Sequence, residues 1–102
     1  DGSRYVGEFA DGHACGQGEL VRVDGTVYRG EFAQDCIHGQ GVMTWRGGVQ
    51  YTGQFVHNRR EGRGRMEWRP NAGYWRSYEG QWKDGGHHGE GTLVDQQGQP
   101  FR

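Results

Sequence analysis

Apolar and polar positions alternate along this chain with a period of two, in short runs broken by glycine-rich turns. In "YVGEF", Tyr5, Gly7 and Phe9 share one face while Val6 and Glu8 share the other, which predicts a half-exposed β-strand. A second kind of run, "GQGELVRV", "GQGVMTW", "GRGRMEW" and "GEGTLV", places Met43 with Trp45, and Met66 with Trp68, on one face. Turn signals separate the runs: "DG" at Asp11-Gly12, Asp24-Gly25 and Asp84-Gly85, and "GG" at Gly47-Gly48. No window shows a helical period.

The alternation is itself repeated. Tyr5-x-Gly7-x-Phe9 recurs as Tyr28-x-Gly30-x-Phe32, Tyr51-x-Gly53-x-Phe55 and Tyr78-x-Gly80-x-Trp82. The pairs Gly16/Gly18, Gly39/Gly41, Gly62/Gly64 and Gly89/Gly91 keep the same step, as do Leu20, Met43, Met66 and Leu93. The expected architecture is all-β: an elongated, twisted single antiparallel sheet, a meander of about eight strands built from four stacked hairpins of about 23 residues. The copies run over about 5–27, 28–50, 51–77 and 78–100, within one module spanning 1–102. The third copy is longer, and growth on both sides of its turn predicts an extended hairpin tip at "RPNAGYWRS", where Pro70 suits a tip or an edge. A bare Cα at Gly7, Gly30, Gly53 and Gly80 lets neighbouring rings lie across the backbone. The other face, with Glu8, Arg29, Glu31, Gln54, Glu79, Gln81 and Lys83, is expected to be wet.

Composition agrees with this picture. Glycine supplies 21 of 102 residues without a strict three-residue period, which excludes collagen. Four Trp, five Tyr and four Phe argue against disorder. A net charge of −1 gives no global attraction to nucleic acid or anionic membrane. Two cysteines do not make a disulfide framework and read as reduced, so the expected setting is cytoplasmic. The opening "DGSRYVGEF" is already in mid-pattern, so the chain reads as a fragment of a longer array.

Tyr-x-Gly-x-Phe/Trp followed by a glycine-containing loop and Gly-x-Gly-x-Leu/Met resembles the MORN repeat (membrane occupation and recognition nexus). The stretches "YRGEFAQDCIHGQGVM" and "YEGQWKDGGHHGEGTL" carry the resemblance most fully, and it covers nearly the whole chain. The resemblance implies a docking or dimerisation platform. Such repeats occur in cytoskeletal scaffolds, in radial-spoke and junctional membrane-complex proteins, and appended to lipid kinases and a lysine methyltransferase. The loop "VHNRREG" departs from the pattern by lacking a glycine near position 58.

Four candidate chemistries follow. The Tyr and Phe/Trp positions read chiefly as the stacked core of a solenoid-like sheet. Exposed apolar strips mark partner sites, so Trp45, Trp68, Met43, Met66, Tyr51 and Phe55 are the candidate partner-binding residues, on an expected concave face for a helix or extended segment. Open sheet edges invite pairing with another chain, a homodimer included. The expectation is a non-enzymatic scaffold in a cytoskeletal or membrane-associated assembly.

His13, Cys15, Cys36 and His38 fall on one rim in adjacent loops, with N and S donors of the kind zinc takes. Adjacent copies lie roughly 9–10 Å apart, which opposes a single tetrahedral centre, so no cofactor is expected and zinc is the alternative. Arg59, Arg60 and Arg63 in the basic third copy, near Tyr74 and Trp75, are the candidate phosphoinositide contacts, against the reading of an ordinary solvated face. Nucleic acid is not an expected partner. No catalytic constellation is present: Ser3 and Ser77 lie outside any nucleophile elbow, the acids are scattered, and the Gly-x-Gly elements open no helices. An attached catalytic domain beyond this segment is the remaining alternative.

Overall fold

The computed structural model describes residues 2–68 and 75–101, and the side chains of Trp75, His87, His88 and Phe101 lie outside that description. One antiparallel sheet contains every strand: β1 (Arg4–Ala10), β2 (His13–Val21), β3 (Val27–Ala33), β4 (Cys36–Thr44), β5 (Gln50–Val56), β6 (Arg59–Glu67), β7 (Trp75–Lys83), β8 (Gly86–Asp95) and β9 (Pro100–Phe101). Their order across the sheet is their order along the chain. The molecule is elongated, 47 × 26 × 17 Å. The short β9 pairs Phe101 with Leu93, the same register that sets Tyr28 beside Leu20, Tyr51 beside Met43 and Tyr78 beside Met66.

The glycines explain the register. Gly7 pairs with Gly18, Gly18 with Gly30, Gly30 with Gly41, and so on through Gly53, Gly64, Gly80 and Gly91. An unbroken row of Cα atoms without side chains therefore crosses the sheet. The tyrosine rings lie down along it: a Cβ on Gly41 would stand 2.5 Å from Cε1 and Cζ of Tyr28. Each phenol then donates a hydrogen bond to the carbonyl three residues on: Tyr5 to Glu8 (2.7 Å), Tyr28 to Glu31 (2.9 Å), Tyr51 to Gln54 (2.9 Å) and Tyr78 to Gln81 (3.1 Å). Bare glycines were expected to admit the rings at Gly7, Gly30, Gly53 and Gly80; the rings lie chiefly over the glycines paired with these, Gly18, Gly41, Gly64 and Gly91.

Each hairpin also carries a bulge, where one residue on one strand faces three on the other. Between Gly7 and Phe9 the β1–β2 register shifts, and the same shift recurs at Gly30/Phe32, Gly53/Phe55 and Gly80/Trp82. The first glycine of each Gly-x-Gly sits there in the left-handed region, as at Gly39 (φ 101°), where it is favoured for want of a Cβ. The bulge frees a backbone N–H, and a neighbouring side chain accepts it. Glu8 accepts from Gln17 (2.9 Å), Glu31 from Gln40 (2.9 Å) and Gln54 from Arg63 (2.7 Å). These residues were expected merely to face water; they hold the bulge together.

The core is a ladder of rings along the sheet's long axis. Tyr5 packs edge-on to Phe9 (centroids 5.1 Å) and Phe32 (4.9 Å), and Tyr28 to Phe32 (5.2 Å) and Phe55 (5.2 Å). Tyr51 does the same with Phe55 (5.1 Å) and Trp82 (5.3 Å), and Tyr78 touches Trp82 at 5.3 Å. Each edge-to-face contact adds about 0.5–1.5 kcal/mol beyond area burial. Ala14, Ile37, Met43 and Met66 fill the gaps between the rings. The third hairpin stays paired through Glu67 and Ser77, and Trp68 N–H reaches the Arg76 carbonyl at 2.8 Å. The tip expected at "RPNAGYWRS" falls largely in 69–74, outside the described residues.

Candidate functional site

Burial divides the aromatic face into an inaccessible floor and an accessible rim. Tyr51 is 0% exposed, Phe55 2%, Met66 5% and Met43 6%. Four of the six residues expected to meet a partner are thus withdrawn from that role. A pattern of alternation shows which face a side chain takes; it does not show that rings from both neighbouring repeats close over it. Trp45 and Trp68 remain half-buried, packed on the edge of the core. Both leave their strands at hairpin ends, where the backbone N–H of Trp45 donates to the Val49 carbonyl (2.8 Å).

Arg60 joins this rim. Its backbone pairs with Phe55, so alternation turns it to the aromatic face, away from Arg59 and Arg63. The guanidinium lies 4.9 Å from the Trp82 ring centroid, 5.4 Å from Trp45 and 6.0 Å from Tyr51, and it donates to the Gly85 carbonyl. Rings supply a cation with attraction from their negative faces. Burial nevertheless pushes the Arg60 pKa down, opposed by its coulombic interaction with Tyr51. Beside it opens a hollow of about 520 Å³ lined by Arg60, Met66, Trp68, Trp82, Gly85 and Gly86.

The three arginines expected to face a membrane together do not share a surface. Arg59 reaches Asp84 (3.4 Å) at the exposed turn. Arg63 lies on the opposite face with Arg65, Glu67 and Glu79, and Arg65 pairs with Glu67 at 3.5 Å. That face is a mosaic of both signs, held also by the Arg29–Glu19 pair.

The rim of His13, Cys15, Cys36 and His38 resolves into contacts between neighbouring repeats. His13 Nδ1 lies 2.7 Å from an Asp35 carboxylate oxygen, while the His38 and His57 rings meet at 5.3 Å, tilted by 55°. Cys15 and Cys36 are half-buried free thiols. Among the described residues no group of three or more His, Cys, Asp or Glu side chains is arranged to hold a metal ion.

Asp35 and Asn58 were missed by sequence reasoning. Each is the second residue of a tight turn with positive φ, 67° and 70°. Asp35 accepts from Ala14 N–H (2.7 Å) and donates its own N–H to the Ala14 carbonyl (3.0 Å). Asn58 does the same to Ile37, at 2.8 and 2.9 Å. Each turn thereby clasps the strand of the preceding repeat. Asn tolerates the left-handed region, so the missing glycine near position 58 leaves the turn intact. The signal that could have found the clasp is Gly12, Asp35, Asn58 and Gly85 sharing one place in the repeat. The bonds from His13 and from the Ala14 N–H hold the Asp35 carboxyl below its ordinary range.

Hairpin, glycine row, bulge and ring ladder recur together in every copy, and a family model for the MORN repeat matches residues 5–27, 28–50, 51–72 and 78–99. The chain belongs to the MORN-repeat family. Its MORN matches begin on the tyrosine that covers the glycine row, and residues 73–77 of the long third copy fall between the third match and the fourth. No curated protein matches the chain by sequence. The third repeat departs from the two before it at the rim, with Arg60 where they place Ala14 and Ile37, close to Trp45 and Trp68.

Proposed function

We propose that this MORN array is a non-enzymatic protein-interaction module that takes a helical or extended partner segment on its aromatic face. The observation that carries this reading is the pair of half-buried indoles, Trp45 and Trp68, packed at the border of the core beside the Arg60 hollow. Half-covered tryptophan next to arginine is the composition of interface hot spots, because both bury large area around one polar handle. The module then serves as a scaffold in a larger assembly, cytoskeletal or membrane-associated. Arg59, Arg60 and Arg63 do not converge, which weighs against the phosphoinositide reading.

Self-association is the second reading, and one observation favours it. The outer edge of β1 has no paired strand among the described residues, and Phe9 on it is 63% exposed. One experiment addresses both. A photo-crosslinking residue is placed in turn at Trp68, at Phe9 and, on the opposite face, at Thr92. The expected result is a partner adduct from position 68 only, and an adduct of twice the chain mass from position 9. Partner adducts of equal yield from 68 and 92, or capture unchanged by Trp45→Ala with Trp68→Ala, would refute the face. Absence of the double-mass adduct would refute self-association by this edge.

A further inference from the structure

Arg60 carries a charge that has no counter-ion among the described residues. Among the described arginines and lysine, Arg60 alone is half-buried; the rest are exposed. No carboxylate among the described residues lies within ion-pair distance of it, whereas the exposed Arg29, Arg59 and Arg65 all have acidic partners. Its one recorded hydrogen bond, to the Gly85 carbonyl, engages one of five guanidinium N–H groups. The corresponding residues of the two preceding repeats, Ala14 and Ile37, are buried and apolar, so the repeat does not need a cation there. Withdrawing an unpaired charge from water is costly, and three ring faces offset only part of that cost.

The surroundings narrow what could complete it. The adjoining hollow is walled by Met66, Trp68 and Trp82 and floored by two glycines, Gly85 and Gly86, which place no side chain in it. A single guanidinium matches a single flat carboxylate, which it can bind through two parallel N–H donors. A phosphate dianion would call for further cations, and Arg59 and Arg63 face elsewhere. The apolar walls suit an aliphatic or aromatic neighbour of that carboxylate.

We propose that Arg60 is the anchor for an Asp or Glu side chain, flanked by apolar residues, on the protein segment that occupies the aromatic face. This rests on the reading of that face as a protein-binding surface. It goes further by assigning the partner's charge and the residue that reads it.

The test is selection from a random-peptide display library on the intact chain, with the Trp45→Ala/Trp68→Ala variant used for counter-selection. The expected peptides combine Asp or Glu with adjacent apolar residues. By fluorescence anisotropy, Arg60→Ile weakens their binding by about tenfold or more. Replacing the peptide's acid with its amide has a similar effect, and the two losses do not add, as required of groups in contact. Isoleucine already occupies the corresponding place at Ile37, so Arg60→Ile is expected to melt no lower than the parent. The amide-peptide arm stands even if that variant misfolds. Peptides that need Trp45 and Trp68 but carry no acid, or bind Arg60→Ile equally well, would overturn the anchor and leave the face standing. Failure to obtain any peptide dependent on the two tryptophans would remove the face, and the anchor with it.

Discussion

The first repeat and the two that follow it share a motif and differ in what the motif achieves. Phe9 is 63% exposed, while Phe32, in the same place one repeat later, is 6% exposed. Tyr5 is half-covered where Tyr28 and Tyr51 are fully buried. The local conformation does not differ: the bulge, the glycine under the ring and the phenol bond to the carbonyl are present in all three. The difference is a neighbour. Phe32 lies between Tyr5 and Tyr28, while among the described residues Phe9 meets one ring, that of Tyr5. Burial in this molecule belongs to the seam between repeats, as expected for a quasi-one-dimensional array.

The largest test of that contrast is truncation of one ring. Phe55→Ala should cost about 3–5 kcal/mol, because both flanking tyrosines lose contacts and a cavity opens. Phe9→Ala should cost under about 1 kcal/mol, as for other exposed positions. Denaturant titration of the two variants measures both, and equal losses would mean that the ladder is not the core.

An intermediate effect comes from filling the glycine row. Gly41→Ala forces its methyl into the Tyr28 ring, and overpacking of this kind costs about 1–3 kcal/mol. Gly18→Ala makes the same collision with Tyr5, but that ring is only half-covered and can swing outward. Its midpoint temperature should fall by less than half as much. A larger loss at Gly18 would show that the row is rigid irrespective of its neighbours.

The smallest effect is chemical. Burial pushes the phenols of Tyr28 and Tyr51 up to about 12 from 10.0. The folded state therefore disfavours phenolate. The stability this reflects is intact below pH 10.0 and is lost as pH rises toward about 12. A Tyr28→Phe/Tyr51→Phe variant should lose about 0.5–1.5 kcal/mol per hydroxyl at neutral pH and show a flatter alkaline limb. Tyr5→Phe should leave most of that limb in place. Thermal melts across this range, with phenolate absorbance read alongside, check the assignment.

Much of this was legible from sequence, for physical reasons. Alternation and glycine placement are strictly local, so the meander, the ring register and the Gly-x-Gly step could be read directly. Tyr51 and Phe55 already read chiefly as core, but the full burial of Met43 and Met66 could not be foreseen, because closure depends on rings one repeat away. The arginine run misled for a different reason. Proximity in sequence suggested one patch, although parity alone would have set Arg60 apart from Arg59 and Arg63. The Asp35 and Asn58 clasps were hidden because turn propensity explains those residues without any partner.

That the strands lie in the sheet in the order they leave the ribosome has a kinetic consequence. No strand waits for a partner synthesised much later, so loop-closure entropy is small at every step and relative contact order is low. Folding can start at any hairpin and spread by accretion, each new unit finding its template already in place.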